Sequence, residues 1–236
     1  EISRHYSPYW QGMPLDIQLV MAELLRNLPD DKVRTDIKLD LDRDATRVAF
    51  ALADHPGIFA RLAGALALVG ANVVDARSYT TKDGYATAVF WVQDGDGAPY
   101  EADRLPRLSA MIDKTLMGRV KATEAFETRD KLKKRERAFD VPTSITFDNE
   151  GSDIYTIIEV DTRDRPGLLY DLASSMAEAN VNIASAVVAT YGEQVVDSFY
   201  VKDNFGLKLH SESRRRSLEK KLRAAIVAGA ERARRS

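Results

Sequence analysis

Two rhythms of apolar positions alternate along the chain. Residues 46–52 place Val48, Phe50 and Leu52 on one side and residues 154–160 are rich in β-branched side chains, so each stretch predicts a strand. An Asp-x-Pro-Gly break follows each strand. Apolar residues then fall at 58, 62, 66 and 69, and again at 168, 172, 176 and 179, which is one face of a helix. A second strand opens at Asn72 or Asn182. Turns at Lys82-Asp83-Gly84 and Tyr191-Gly192-Glu193 fold it back into a third strand, residues 85–93 or 194–201. A further helix carries Leu105, Leu108, Ile112 and Leu116 and stops at Gly118, or carries Leu218, Leu222 and Ile226 in the second half.

The halves are copies of one unit. At an offset of 110 positions, nine of the thirty residues from 54 to 83 are identical, including Asp54/Asp164, Gly57/Gly167, Asn72/Asn182, Ala76/Ala186 and Thr80/Thr190. Each copy reads βαββα with a fourth strand expected, an α+β fold of two ferredoxin-like βαββαβ modules. Residues 143–147 are the expected fourth strand of the first copy, and the second copy has no evident one. Residues 37–41 alternate and predict another strand, which either completes a sheet or pairs within the first copy. Upstream, residues 14–28 predict an amphipathic helix, with Val20, Leu24 and Leu28 beside Met21 and Leu25, expected to pack on a missing domain. The organisation expected is a helical connector at 1–34, a first module at 35–150 with a charged linker at 119–140, and a second module at 151–236 ending in a basic helix. A chain that opens on Glu1 and runs straight into a helix reads as a piece of a longer protein.

Composition narrows the chemistry. With 236 residues, 44% hydrophobic and 30% charged, the chain is ordinary globular material for one large or two small domains. It has no cysteine, which excludes disulfides, thiolate metal sites and Cys nucleophiles, and only three histidines, His5, His55 and His210. No metal site or catalytic residue is expected in this chain. The apolar run 62–69 is far shorter than the roughly 20 residues a membrane span needs, so a cytoplasmic location and no membrane partner are expected. Net charge is −2, yet residues 211–236 hold nine Lys/Arg against three Glu. The spacing of Leu218, Leu222 and Ile226 makes that tail a solvated helix face rather than a nucleic-acid surface.

Some acidic motifs read as plain structure. Asp40-x-Asp42 lacks a preceding Gly-Ser phosphate loop and suits an exposed strand edge. Asp94-Gly95-Asp96-Gly97 has Leu105 where a calcium loop needs its twelfth-position Glu, so it is a turn. Asp-x-Pro-Gly stays open between two readings. Structurally, Asp54 and Asp164 cap a turn whose Pro sets φ and whose Gly permits the bend. Functionally, the N–H groups at 57–59 and 167–169 open a helix and favour a carboxylate, while Asp54 or Asp164 receives an ammonium and Asn72 or Asn182 opens the neighbouring strand. On this second reading the loop is a place for a free amino acid, and the choice between the two readings rests on geometry.

The paired Asp-x-Pro-Gly-(Leu/Ile)-(Leu/Phe) loops, each followed by a helix and an Asn-led strand, resemble ACT domains, small modules that bind amino acids between two copies. Ser78-Tyr79-Thr80-Thr81-Lys82-Asp83-Gly84, Val141-Pro142-Thr143-Ser144-Ile145-Thr146-Phe147 and Asp164-Arg165-Pro166-Gly167-Leu168-Leu169 resemble, more narrowly, the C-terminal tandem of the bacterial bifunctional uridylyltransferase and uridylyl-removing enzymes that modify PII signal proteins. The resemblance covers the chain from about residue 35. It implies a parent enzyme that transfers UMP to PII with Mg2+ when nitrogen is scarce and removes it hydrolytically when glutamine is plentiful. It also implies that the tandem senses L-glutamine and acts on catalytic domains absent from this chain. The effector residues it implies are Asp54, Gly57, Ile58 and Asn72 in one copy and Asp164, Gly167, Leu168 and Asn182 in the other, with unequal affinity because His55 and Phe59 make the first loop bulkier. The competing reading is a stand-alone tandem ACT sensor that regulates a separate partner protein.

Overall fold

The computed structural model describes residues 3–117, 142–165, 167–191 and 194–235. Two helices, α1 (Ser7–Gly12) and α2 (Leu15–Leu25), lead into strands β1 (Val33–Asp40) and β2 (Ala45–Ala53). Helix α3 (Ile58–Leu68), strands β3 (Asn72–Thr80) and β4 (Tyr85–Gln93) and helix α4 (Leu105–Leu116) finish the first half. The second half repeats the series as β5 (Ser144–Asp148), β6 (Thr156–Arg163), α5 (Leu168–Glu178), β7 (Val181–Tyr191), β8 (Gln194–Asp203) and α6 (Glu212–Arg235).

All eight strands join one antiparallel sheet in the order β1-β2-β4-β3-β7-β8-β6-β5. The order is a palindrome. Its centre is the β3–β7 pair, where Ala76 lies opposite Ala186. These two residues occupy the same position in the repeat, 110 apart, so a pseudo-twofold axis passes between them. The repeat in sequence is thus a side-by-side pair in space.

The edge strands differ from the sequence expectation. Residues 143–147 do not return to the first module: β5 pairs with β6 and completes the second, which therefore has its fourth strand. The first module is completed by β1, which pairs with β2 from Val33↔Leu52 to Asp40↔Ala45. Each module runs ββαββα, with the edge strand made first instead of last but in the same sheet position, and the second module begins at β5 rather than at residue 151. The physical reason is local. A short 3-10 turn at Leu41–Arg43 followed by Asp44 at φ 48° links β1 to β2, and closing such a hairpin costs less entropy than bringing a strand back across a long linker. The charged linker expected at 119–140 lies outside the described residues.

One face of the sheet carries α3, α4, α5 and α6. Phe50, Leu62, Leu66 and Phe90 in the first module run continuously into Ile158, Leu172, Met176 and Phe199 in the second as one core, and α3 packs on α5 across the seam. Burial along β2 is continuous from Ala45 to Leu52 because the opposite face is covered too. There Tyr9, Met13, Ile17 and Met21 pack on Ala45, Ala49, Val89 and Trp91, the alanines letting the helices sit close. The N-terminal helix therefore packs on its own sheet, not on a missing domain. The inward stripe is Ile17, Met21 and Leu25, one turn apart along α2, with Leu28 buried in the turn beyond its end, while Leu15 and Leu19 stay exposed at 73% and 69%. Met21→Ala, emptying a fully buried position, is expected to cost about 2 kcal/mol or more in denaturant unfolding of this chain. An unchanged midpoint would show that α2 is not part of the module.

Candidate functional site

In the two Asp-x-Pro-Gly loops the described residues follow the same course. Gly57 sits at φ 82° and Gly167 at φ 75°, a left-handed conformation that costs other residues about 1 to 2 kcal/mol. In each loop the N–H three residues after the Asp–x pair turns back, Ile58 to His55 O at 3.1 Å and Leu168 to Arg165 O at 3.2 Å. The first intrahelical bonds run from Arg61 to Gly57 O and from Asp171 to Gly167 O, both at 3.0 Å. Among the described residues no side chain caps either helix, so the first turns of α3 and α5 begin with N–H groups ahead of any i→i−4 bond. Asp54 is held by two neighbours: its N–H donates to Gly84 O at 2.9 Å, and Thr80 Oγ1 donates to its Oδ2 at 2.6 Å.

The seam between the modules is open at this end. β3 and β7 pair only over residues 75–77 and 185–187. Beyond that, Ser78, Tyr79 and Thr80 part from Asn182, Ile183 and Ala184, and a cleft of about 790 Å³ opens between them. The loop from Asp54 to Ala60 forms one wall, Ala173 and Ala177 of α5 another, and Lys202 to Gly206 of the second module a third. Splayed strand edges present backbone donors and acceptors to whatever fills the gap.

Charge in the cleft is mixed. Lys202 Nζ sits 5.0 Å from the centre of the Tyr155 ring. Asp203 accepts from the N–H groups of Phe205 and Leu207, both at 2.9 Å, and from Arg214 at 3.0 Å. Burial works against its ionisation, but those donors outweigh it and hold its carboxyl below the usual carboxylate range. Burial pushes the Tyr79 phenol up, with the Tyr155 phenol adding to it.

The sequence-predicted residues do not assemble within one copy. Asp54, Gly57 and Ile58 meet Asn182, not Asn72. Loop and Asn72 lie at opposite ends of β3, about 26 Å apart at strand rise, because the loop stands beside Thr80. Antiparallel pairing at the seam brings the start of β7 to the end of β3, and so delivers the other copy's Asn. Asp164, Gly167 and Leu168 stand on the far side of the pseudo-twofold axis in different surroundings. Arg165, where the first copy has His55, is buried and pairs with Asp171 at 2.5 Å, and Arg232 of α6 pairs with the same carboxylate at 2.7 Å. The α6 backbone at Gly229 lies so close that a Cβ there meets the Arg165 guanidinium at 1.8 Å.

Tyr6, Pro8, Tyr9, Tyr155 and Lys202 also line the cleft, and no motif announced them. The other acidic motifs have structural roles. Asp40 accepts from Trp91 Nε1 at 2.8 Å and the side chain of Asp94 accepts from Asp96 N–H and Ala98 N–H to close a turn. Leu218, Leu222 and Ile226 of α6 face inward. Among the described residues no group of three or more His, Cys, Asp or Glu is arranged to hold a metal, and no helix is long and apolar enough to cross a membrane.

Comparison with known proteins fits this geometry. The ACT domain family matches residues 46–104, and the family described as ACR9-like, ACT-like domain matches residues 144–230. The bifunctional uridylyltransferase/uridylyl-removing enzymes of Ruegeria pomeroyi and Cereibacter sphaeroides are each 70% identical over 99% of this chain, covering 26% and 25% of those proteins. That of Azospirillum brasilense is 42% identical over 94% of this chain and 24% of its own length. The chain thus spans about a quarter of the length of the curated relatives it matches. A solved structure of aspartate kinase from Synechocystis is similar at TM-score 0.39 and 17% identity, over 76% of this chain and 27% of that one. Two ACT modules, each matched by its own family description and together matched almost end to end by these enzymes, make one assignment: the chain is a tandem of ACT-type modules, similar throughout its length to about a quarter of the bifunctional uridylyltransferase/uridylyl-removing enzymes.

Proposed function

We propose that the seam cleft binds a free L-amino acid, L-glutamine, and that this chain is the sensing part of an enzyme that attaches UMP to PII proteins and removes it according to nitrogen status. The observation that carries this reading is the first turn of α3 from one module, without a side-chain cap, sharing a cleft with the start of β7 from the other, where β7 no longer pairs with β3. Such a turn, with the helix dipole behind it, suits an α-carboxylate. Asp54 and the exposed carbonyls of the splayed strands suit an α-ammonium. Asn182 and Thr80 both donate and accept, as a side-chain amide does. Asp54 and Asp203 make the walls unwelcoming to a second carboxylate, which favours glutamine over glutamate.

Catalysis, its Mg2+ and the contact with PII belong to the rest of the protein in this reading, which also places the work in the cytoplasm. Glutamine switches such an enzyme only by binding one arrangement of the modules and catalytic domains more tightly than another. Calorimetric titration of the 236-residue chain with L-glutamine, L-glutamate and the remaining amino acids tests the proposal. Selective heat with glutamine at one site per chain is expected. No heat with any amino acid sinks it.

A further inference from the structure

The cleft has a wall that belongs to neither repeat. Residues 6–12 approach it from the sheet face opposite α3 and α5, and Tyr6, Pro8 and Tyr9 line it beside Tyr79. Tyr79 stands on the splayed part of β3, two residues beyond Arg77, the last one paired across the seam. On the cleft side Tyr155 of the second module is its electrostatic neighbour, and on the other side Tyr9 meets it edge-on with ring centres 5.6 Å apart. His5 stacks on Tyr9 at 3.7 Å. The backbone of Gly12 passes so close that a Cβ there meets Tyr79 Oη at 1.9 Å, which leaves the ring no freedom on that side.

The two ends of the segment are held differently. Inward, Tyr9 and Met13 are buried with Ile17 and Met21 against β2 and β4. Outward, its described anchors to the Lys82-Asp83 turn are polar: Lys82 N–H donates to Arg4 O at 2.7 Å, Arg4 pairs with Asp83 at 2.9 Å, and Lys82 lies 5.6 Å over the ring of Tyr6. Tyr6 is 55% exposed. Only Thr81 separates that turn from Thr80, the residue that holds Asp54.

We infer that residues 6–12 form a fourth wall of the ligand site and that Tyr79 is the positioning residue through which their seating and occupancy of the cleft favour each other. The inference rests on the reading of the cleft as an amino-acid site and adds its regulation. A ligand lodged between β3 and β7 limits the arrangements open to Tyr79, and a fixed Tyr79 fits only against a seated Gly12. Coupling of this kind is reciprocal, so unseating the segment weakens the ligand by the same factor that the ligand tightens the segment. Because α1 runs on through Met13 into α2, the state of the cleft is felt along the N-terminal helices.

Hydrogen exchange on the full 236-residue chain, with and without saturating L-glutamine, reads the coupling without any substitution. The amides of Tyr9, Met13 and Lys82, which donate to Tyr6 O, Tyr9 O and Arg4 O, are expected to slow about tenfold on binding. Gly12→Ala is expected to weaken glutamine about tenfold by pushing Tyr79 aside, and Tyr79→Phe in the same protein, which removes the clashing hydroxyl, to restore most of it. Glutamine binding with unchanged exchange at all three amides overturns the inference and leaves the amino-acid site standing. A chain that binds no glutamine overturns both.

Discussion

Asp54→Ala and Asn182→Ala are each expected to weaken L-glutamine by tenfold or more, and together by less than the product of the two. Both residues line one cleft although they come from different modules, 128 positions apart in the chain. Removing a partner of a charged ligand group costs about 1.5 to 3 kcal/mol, and residues that share a ligand couple by about 0.5 to 3 kcal/mol in a double-mutant cycle. The control is Asn72→Ala. Asn72 is in the same module as Asp54 but at the far end of β3, so its cycle with Asp54 is expected to be additive within about 0.5 kcal/mol. Calorimetric titration of the three single and two double variants decides. Coupling of Asp54 to Asn72 rather than to Asn182 would mean that each module binds ligand on its own, and the cross-seam geometry would lose its functional meaning.

Local signals were legible: the Asp-x-Pro-Gly loops, the helix stripes that follow and the hairpins β3–β4 and β7–β8 all depend on residues close together in the chain. The repeat itself announced two equivalent units, and Ala76 and Ala186, which matched in the alignment, turned out to face each other. Partner choice was not legible. The five residues of β5 contain nothing that specifies β6 over β2, because both are apolar strands of similar length and register is set by the surroundings. The amphipathic helix at 14–28 declared an apolar face but not what covers it. Asn72 and Asn182 each stand at the start of the equivalent strand of their copy, yet their exchange between modules follows from antiparallel pairing at the seam, which no residue encodes alone. Tyr6, Tyr9 and Tyr155 carry no motif and join the cleft only through folding.

A second large effect is expected from a carboxyl outside the cleft. Asp197 on β8 lies opposite Val160 and Val188 on the helix-covered side of the sheet, 1% exposed, at the place where the first module has Ala88. Among the described residues its Oδ1 has no hydrogen-bond partner. Burial, with Asp164 adding to it, pushes the carboxyl up to about 8 from 3.8. Between those values the folded chain keeps a proton that the unfolded chain has released. The unfolded state then binds fewer protons, so stability falls as pH rises, by up to about 1.4 kcal/mol per pH unit. The loss begins near pH 4, is complete by about pH 8 and is on the order of 5 kcal/mol in all. Asp203, held below the usual carboxylate range, acts with the opposite sign and only in more acidic solution, so it does not mask the effect. Asp197→Asn keeps the shape and removes the proton. Its unfolding free energy is expected to stay level where that of the natural chain declines, and to exceed it at pH 8. Asp164→Asn, which removes the neighbouring charge, is expected to leave the onset of the decline in place but end it at lower pH, and so make it smaller. Parallel profiles for the natural chain and Asp197→Asn from pH 4 to 9 would mean that water or a neighbour reaches the carboxylate and that the second module tolerates it charged.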